Sequence, residues 1–462
     1  MKTPKTIELD GRTGEGGGQL VRIAVALAAV ITQPIRITHV RGNRAGTRGG
    51  GLKAQHVASI SWLAKATDAE VSGLEVGSQT LEFRPRLRPS ELATRRVSIE
   101  ADTPAASTLL ILQAILPFLL FAGGTHRAAC KLEGGHDSSS ESEPVPIEVS
   151  ISGGTNVHWS LSWEYMDQVL LPILERCFGI EKVERQLVVR GWSLGSPQKR
   201  GNIWLRIRPV RLGETLRMRG TTEGGNDKVN SSGAGRSPER KGDGSPKLDG
   251  VDVSMVAPKQ MHTDLQEAIV SSLDELFPGI EVVFKVVEDS GHDARLYVLL
   301  VARSGTWRWG RDILTSIPQK SKCKKVPGKG GREIGNLAES LAKKVSKDLH
   351  EEVTNGGVVD EFLQDQLVVF QALAAGETSF PRYADTSNDS DDCNALREME
   401  TDMRNLQVGE RRRRDKTAEP FGEGSTHTTT ARWVVAQLLP QAEWYDKGRI
   451  CRGVGMRMGK EE

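Results

Sequence analysis

Apolar and polar positions along the first 125 residues predict a strand at Ile7 to Leu9, a glycine turn, an apolar helix from about Gln19 to Val30, and a strand at Ile35 to Val40. Helices from about Lys53 to Thr67 and from about Ala105 to Phe121 follow. Further along, the pattern predicts a strand at Ile147 to Ile151, an amphipathic helix from Trp163 to Phe178, and strands at Leu187 to Val189 and Ile203 to Ile207. A compact set comes next: a helix near Thr263 to Phe277 with strands at Glu281 to Val287 and Leu296 to Val301. Helices at about Gly335 to Glu351, Phe362 to Ala374 and Ala431 to Leu439 complete the pattern, the last closed by Pro440. Alternating strands and helices place the chain in the α/β or α+β class.

Four stretches break this order. Gly134 to Pro146 is acidic and serine-rich; Thr221 to Gly250 is full of Gly, Ser, Asp, Lys and Pro; Lys320 to Arg332 is basic; Thr386 to Gly424 is polar. They offer little apolar surface to bury and read as solvated loops or disordered chain. The run Arg411 to Arg414 reads as a solvated loop in preference to an RNA grip, with a nuclear address as a weaker reading. The longest apolar run, Leu109 to Ala122, is interrupted by Gln113 and Pro117 and is too short to span a membrane. Polar residues from Met1 to Asp10 leave no room for a signal peptide.

Composition narrows the partners. The 62 basic and 60 acidic residues nearly cancel, so any nucleic-acid contact must be local. Five scattered cysteines without a CxxC pair argue against a disulfide framework or a zinc site and for a reducing compartment. The histidines show no HxxxH spacing, which argues against histidine-held metal.

Candidate chemistry gathers at both ends of the chain. The run Asp10-Gly-Arg-Thr-Gly-Glu-Gly-Gly-Gly-Gln19 sits between a strand and a helix, where glycines turn backbone N–H groups towards an anion. It is neither a Walker A loop nor a dinucleotide fingerprint, and alone it is equally a tight turn. Glu15 lies inside the loop, and Arg22 lies among apolar helix residues, where it meets either a carboxylate or a phosphate. Arg41 and Arg44 lie just past the next strand and complete a possible phosphate cradle. Near the other end, His427 directly precedes the helix expected at Ala431, where the helix dipole would keep the imidazole neutral and nucleophilic; taken alone, a single histidine there reads as a cap or surface residue in preference to a nucleophile. Gln113, Asp365 and Gln366 interrupt apolar helices and need partners, either structural hydrogen bonds or a nucleotide.

These pieces resemble the RNA 3′-terminal phosphate cyclase family. Leu9-Asp-Gly-Arg-Thr-Gly-Glu-Gly-Gly-Gly-Gln-Leu-Val-Arg22 is similar to its N-terminal signature, and Ile37-Thr-His-Val-Arg-Gly-Asn-Arg44 to the strand and arginine pair after it. Leu110 to Gln113, Ser152 to Asn156, Val359 to Leu367, Thr426 to Thr428 and Trp433 to Pro440 continue the likeness. The resemblance implies a large domain of repeated units, each a four-stranded sheet backed by helices, over residues 1–210 and 319–462. A small inserted α/β domain would occupy residues 211–318.

The chemistry it implies is ATP-dependent closure of an RNA 3′-phosphate to a 2′,3′-cyclic phosphate through a histidine–AMP adduct at His427. Glu15 matches an active-site acid that helps hold Mg2+ or Mn2+ or orients the nucleophile. Arg22, Arg41 and Arg44 match phosphate-binding arginines, while Gln113, Asp365, Gln366 and Gln55 match positions around the nucleotide. Departures exist: Ala45 to Gly51 is longer than the family's loop, which weakens Gln55, and Leu161 stands about where the family carries a proline near the adenine. The nearest rival is a non-catalytic cyclase-like factor of ribosome biogenesis, which lacks the histidine; enolpyruvate transferases share the repeats but not these motifs. Nuclear or cytoplasmic residence follows from the resemblance, with the oligomeric state, monomer or homodimer, left open.

Overall fold

A computed structural model of the chain describes residues 4–44, 49–124, 143–218, 238–239, 246–317, 330–382 and 413–459. Most of each low-complexity stretch, Arg411 and Arg412, and Cys130, Cys323 and Cys393 lie outside the described residues.

The first unit runs β1 (Ile7–Asp10), α1 (Gly18–Ile31), β2 (Ile35–Thr38), α2 (Ala54–Ala66), β3 (Glu70–Ser72) and β4 (Leu81–Arg84). Its sheet has the order β1-β2-β4-β3, with β1 and β2 parallel and Ile7 opposite Ile35. The second unit repeats this wiring: β5 (Arg96–Glu100), α3 (Thr108–Leu120), β6 (Ile147–Gly153), a helix made of α4 (Trp163–Tyr165), a π turn (Met166–Leu170) and α5 (Leu171–Cys177), then β7 (Glu184–Val189) and β8 (Gly201–Ile207). The sheet order is again first, second, fourth, third strand: β5-β6-β8-β7.

The third unit is interrupted. Arg217 makes a parallel bridge to Ala375, standing where a first strand would. Between those two residues lie β9 (Gly250–Ala257), α6 (His262–Leu276), β10 (Val282–Asp289), β11 (Leu296–Ser304), β12 (Trp307–Thr315) and α7 (Gly330–Thr354). These four strands form their own sheet, β10-β9-β11-β12, and α7 packs against α6 and β12. The third unit resumes with α8 (Glu361–Leu373), β13 (Ala375–Ser379), α9 (Thr426–Leu438), β14 (Glu443–Tyr445) and β15 (Ile450–Val454), whose strands order as β13-β15-β14. The fold is thus α+β, built from helix-backed mixed sheets. On this topology we propose the division into a repeated large domain and an inserted unit, with α7 assigned to the insertion by its packing.

Three differences from the expected elements have local causes. The strand expected at Ile35 to Val40 stops at Thr38, because His39 and Arg41 turn to left-handed backbone with φ of 49° and 56°. The Trp163 to Phe178 helix carries the π turn just before Pro172, whose missing N–H cannot serve the carbonyl four residues back. β9 was hidden by the polar stretch that runs up to Gly250, yet all eight of its residues are buried at the centre of its sheet.

Helix α1 holds the site together. Eleven of its fourteen residues are buried, and it packs against α2, α3 and α9, while α8 packs on α9. Burying each large aliphatic chain there contributes about 1.5–3 kcal/mol, so the start of α1 is firmly anchored.

Candidate functional site

The glycine loop after β1 docks on the first turn of α9. The sequence pattern placed His427 before a helix at Ala431, but α9 begins at Thr426, with Ser425 as its N-cap accepting a hydrogen bond from the Thr428 N–H at 3.3 Å. The threonines obscured this start, since they carry no apolar period; Thr428 and Thr430 are nevertheless buried. Thr430 Oγ1 accepts from the Glu15 N–H at 2.9 Å and donates to the Thr426 carbonyl at 2.6 Å, joining the loop to the helix. Gly14 permits this contact: its φ is +63°, and a Cβ there would lie 2.2 Å from Thr430 Oγ1.

His427, half-exposed in the first turn of α9, faces the start of α1. Its Nδ1 lies 3.0 Å from Gln19 Oε1 and 3.8 Å from Glu15 Oε2. Gln19 is buried, and its Nε2 donates to Asp365 Oδ2 at 2.5 Å. An ionised carboxylate only accepts, so Asp365 fixes the amide with Oε1 towards the imidazole. Gln19 therefore accepts a hydrogen bond from His427 Nδ1–H, which leaves the lone pair on Nε2. Burial lowers the His427 pKa below its ordinary 6.5, opposed by Asp365 and aided by Arg22 and Arg44. Desolvation thus leads in keeping the ring neutral, where the sequence argument had relied on the helix dipole. Burial also pushes the Asp365 carboxyl up to about 6, against the hydrogen bond from Gln366 and the pull of His427 and Arg22. Gln366 Nε2 donates to Asp365 Oδ1 at 2.9 Å.

The arginines surround this chain. Arg22 is partly buried, and its Nε donates to Gln113 Oε1 at 2.6 Å. Among the described residues no carboxylate pairs with it, and burial lowers its pKa to about 10. Asp365 acts on the guanidinium from beyond ion-pair distance and only partly offsets its desolvation, and a bound anion would remove the remaining cost. Arg41 donates from Nη1 to the Gly51 carbonyl at 3.2 Å, and Arg44 forms an ion pair with Glu15. Gln113, Asp365 and Gln366 also line a mostly apolar pocket with Leu161, Pro117 and Phe370. Gln55 lies in the first turn of α2, and no hydrogen bond ties its side chain to the other described residues of the cluster.

The structure thus brings together residues from 15 to 427 that the sequence singled out. Two members were missed. Gln19 stands in the sequence only as the start of an apolar helix and as one residue of the glycine-rich signature, and His56 is one of several histidines without metal-ligand spacing. Both are buried polar groups whose contacts are distant in sequence, which no local pattern reveals.

Among the described residues no three His, Cys, Asp or Glu side chains cluster to hold a metal. Glu15 alone fits one: its buried Oε2 takes no hydrogen bond, and a single carboxylate suits a hard divalent ion that fills its remaining positions with water and substrate phosphates. No helix among the described residues is long and apolar enough to cross a membrane.

Known proteins resemble this chain over most of its length. A sequence profile described as RNA 3′-terminal phosphate cyclase matches residues 13–442. The chain is 32% identical over 381 residues to an RNA 3′-terminal phosphate cyclase of Methanosarcina mazei, covering 81% of this chain and 89% of the relative. It is 29% identical over 375 residues to the protein of that name from Pyrobaculum aerophilum, covering 80% and 86%. One from Ignicoccus hospitalis is 29% identical over 381 residues, again covering 80% and 86%. These relatives are archaeal, so they lend no support to a nuclear address.

Proposed function

Because the chain belongs to the RNA 3′-terminal phosphate cyclase family, we propose that it uses ATP to convert an RNA 3′-terminal phosphate into a 2′,3′-cyclic phosphate through AMP carried on His427. One observation carries the reading: Nδ1–H of His427 is held by Gln19, leaving the Nε2 lone pair as nucleophile near a guanidinium that makes no salt bridge among the described residues.

In the first step Nε2 attacks the α-phosphorus of ATP. An N–P bond forms, and the P–O bond to pyrophosphate breaks with the electron pair leaving on pyrophosphate. The imidazole becomes cationic, and Asp365, reaching it through Gln19, stabilises that charge. Arg22, Arg41 and Arg44 neutralise phosphate oxygens, and Gln113 and Gln366 would border the base. Glu15 would hold a divalent cation, which supplies charge neutralisation on the triphosphate.

In the second step an oxygen of the RNA 3′-phosphate attacks the same phosphorus, the N–P bond breaks, and His427 returns neutral. In the third, the 2′-hydroxyl attacks the 3′-phosphorus; AMP leaves with the electron pair and the hydroxyl proton is released. Adenylylation makes that departure easy, since AMP is a far better leaving group than phosphate oxygen.

Incubation with ATP labelled at the α-phosphate tests the reading. Acid-labile label should appear on the polypeptide and be absent from His427→Ala. An unlabelled wild-type chain would favour a non-catalytic cyclase-like role, and a labelled His427→Ala would mean another nucleophile.

A further inference from the structure

The imidazole of His56 is caught between two donors. It is buried, with 1% exposure, in the first turn of α2. On one side its Nδ1 accepts the Lys53 backbone N–H at 3.1 Å, a bond that closes the start of the helix. On the other, Nε2 lies 3.5 Å from Arg22 Nη1. With Nδ1 committed as acceptor, the neutral ring carries its proton on Nε2, so an N–H faces an N–H across that gap. The opposite tautomer would only move the clash to Lys53, and a cation would face donors on both sides. Burial and the charges of Arg22, Arg41 and Lys53 hold the ring neutral.

Two donors converging at that separation share an acceptor that bridges them. The surroundings favour an anion. Gly17, the N-cap of α1, provides no side-chain cap, so the first N–H groups of that helix have no acceptor from a cap. A Cβ at Gly18 would lie 2.6 Å from His56 Nε2 and 2.9 Å from Arg22 Nη1, which places both donors against the opening turn of α1. Arg22 makes no salt bridge among the described residues, and Arg41 is half-buried close by.

We propose that His56 Nε2–H and Arg22 Nη1–H bind one phosphate oxygen between them at the start of α1, making His56 a neutral phosphate-binding residue. The inference rests on the cyclase reading only for the source of the phosphate, which is either the pyrophosphate portion of ATP or the RNA 3′-phosphate.

Binding without turnover tests it. Affinities for pyrophosphate and for an oligoribonucleotide ending in a 3′-phosphate are measured by calorimetry on the full chain, His56→Phe and His56→Gln. The phenyl ring keeps the shape and loses the donor; the glutamine amide restores an N–H near Nε2. His56→Phe should weaken one of the two probes roughly 10- to 100-fold, the worth of one hydrogen bond to a charged group, and the affected probe identifies the source. His56→Gln should recover most of that loss. Phosphate binding unchanged in His56→Phe, or a glutamine variant as weak as the phenylalanine one, overturns the proposal. Should His56→Phe fail to fold, the nitrogen resonances of His56 in the native chain decide: a neutral ring protonated on Nε2, whose Nε2 signal moves on adding either probe, supports it, and an unmoved signal with both overturns it. Neither readout needs adenylylation, so loss of label at His427 and loss of phosphate binding are separate failures.

Discussion

Replacing Gln19 with leucine isolates the feature that gives His427 its reactive tautomer. The leucine nearly preserves volume but removes the acceptor 3.0 Å from His427 Nδ1 and the donor 2.5 Å from Asp365 Oδ2. Losing one partner of a buried hydrogen bond costs about 1–3 kcal/mol. If that loss falls on the reactive arrangement of the ring, adenylylation slows roughly 5- to 150-fold at 1.4 kcal/mol per factor of ten. The rate constant for label transfer from ATP is the quantity to measure, with the ATP dependence recorded separately, because the nucleotide's phosphates are held by other groups and KM should change little. Gln19→Glu sharpens the test: it sets a second carboxylate against Asp365, so it should be slower than leucine at neutral pH and recover as the pH falls and one of the pair takes a proton. A folded Gln19→Leu chain that adenylylates within twofold of the native rate would refute the reasoning.

Other outcomes follow from the same geometry. Adenylylation should fall by about tenfold per pH unit below about 6, because Asp365, raised to about 6, gains its proton there and no longer fixes the Gln19 amide; a flat profile down to pH 5 would count against that assignment. Arg22→Met should abolish label transfer yet unfold at the same temperature as the native chain or higher, since it removes a cation whose desolvation outweighs the pull of Asp365; the melting temperature checks this. Gly14→Ala should cost about 1–3 kcal/mol in chemical denaturation, from the φ of +63° and the collision with Thr430 Oγ1. Thr430→Val should separate the loop from α9, lowering the adenylylation rate more than the stability, because Glu15 N–H loses its acceptor.

How far the sequence foretold this depends on where each signal is stored. Helices α1, α3 and α8 were readable because their apolar runs are long and their polar interruptions few, and those interruptions, Gln113 and Asp365, proved to face the cluster. Strands β3, β4 and β5 went unread: with only three to five residues each, they are too short for an alternating pattern to stand out from loop sequence. The start of α9 was hidden because Thr428 and Thr430 are buried for their hydrogen bonds and not for hydrophobicity. Gln19 and His56 needed the fold itself: their partners lie 346 and 408 residues away for Gln19, and 34 for His56. Arg22 was the reverse case, since an arginine within an apolar helix announces an unmet charge before any coordinates exist.

The interrupted third unit also governs when during synthesis the protein can work. A ribosome releases chain from the amino end, so the first two sheets can close while the third has only its opening bridge residue at Arg217. Gln19 then waits for an imidazole 408 positions downstream, and β13 waits for β15 near the carboxyl end. On the proposed reading, unfinished products would carry the arginines without His427, capturing substrate and releasing it unchanged.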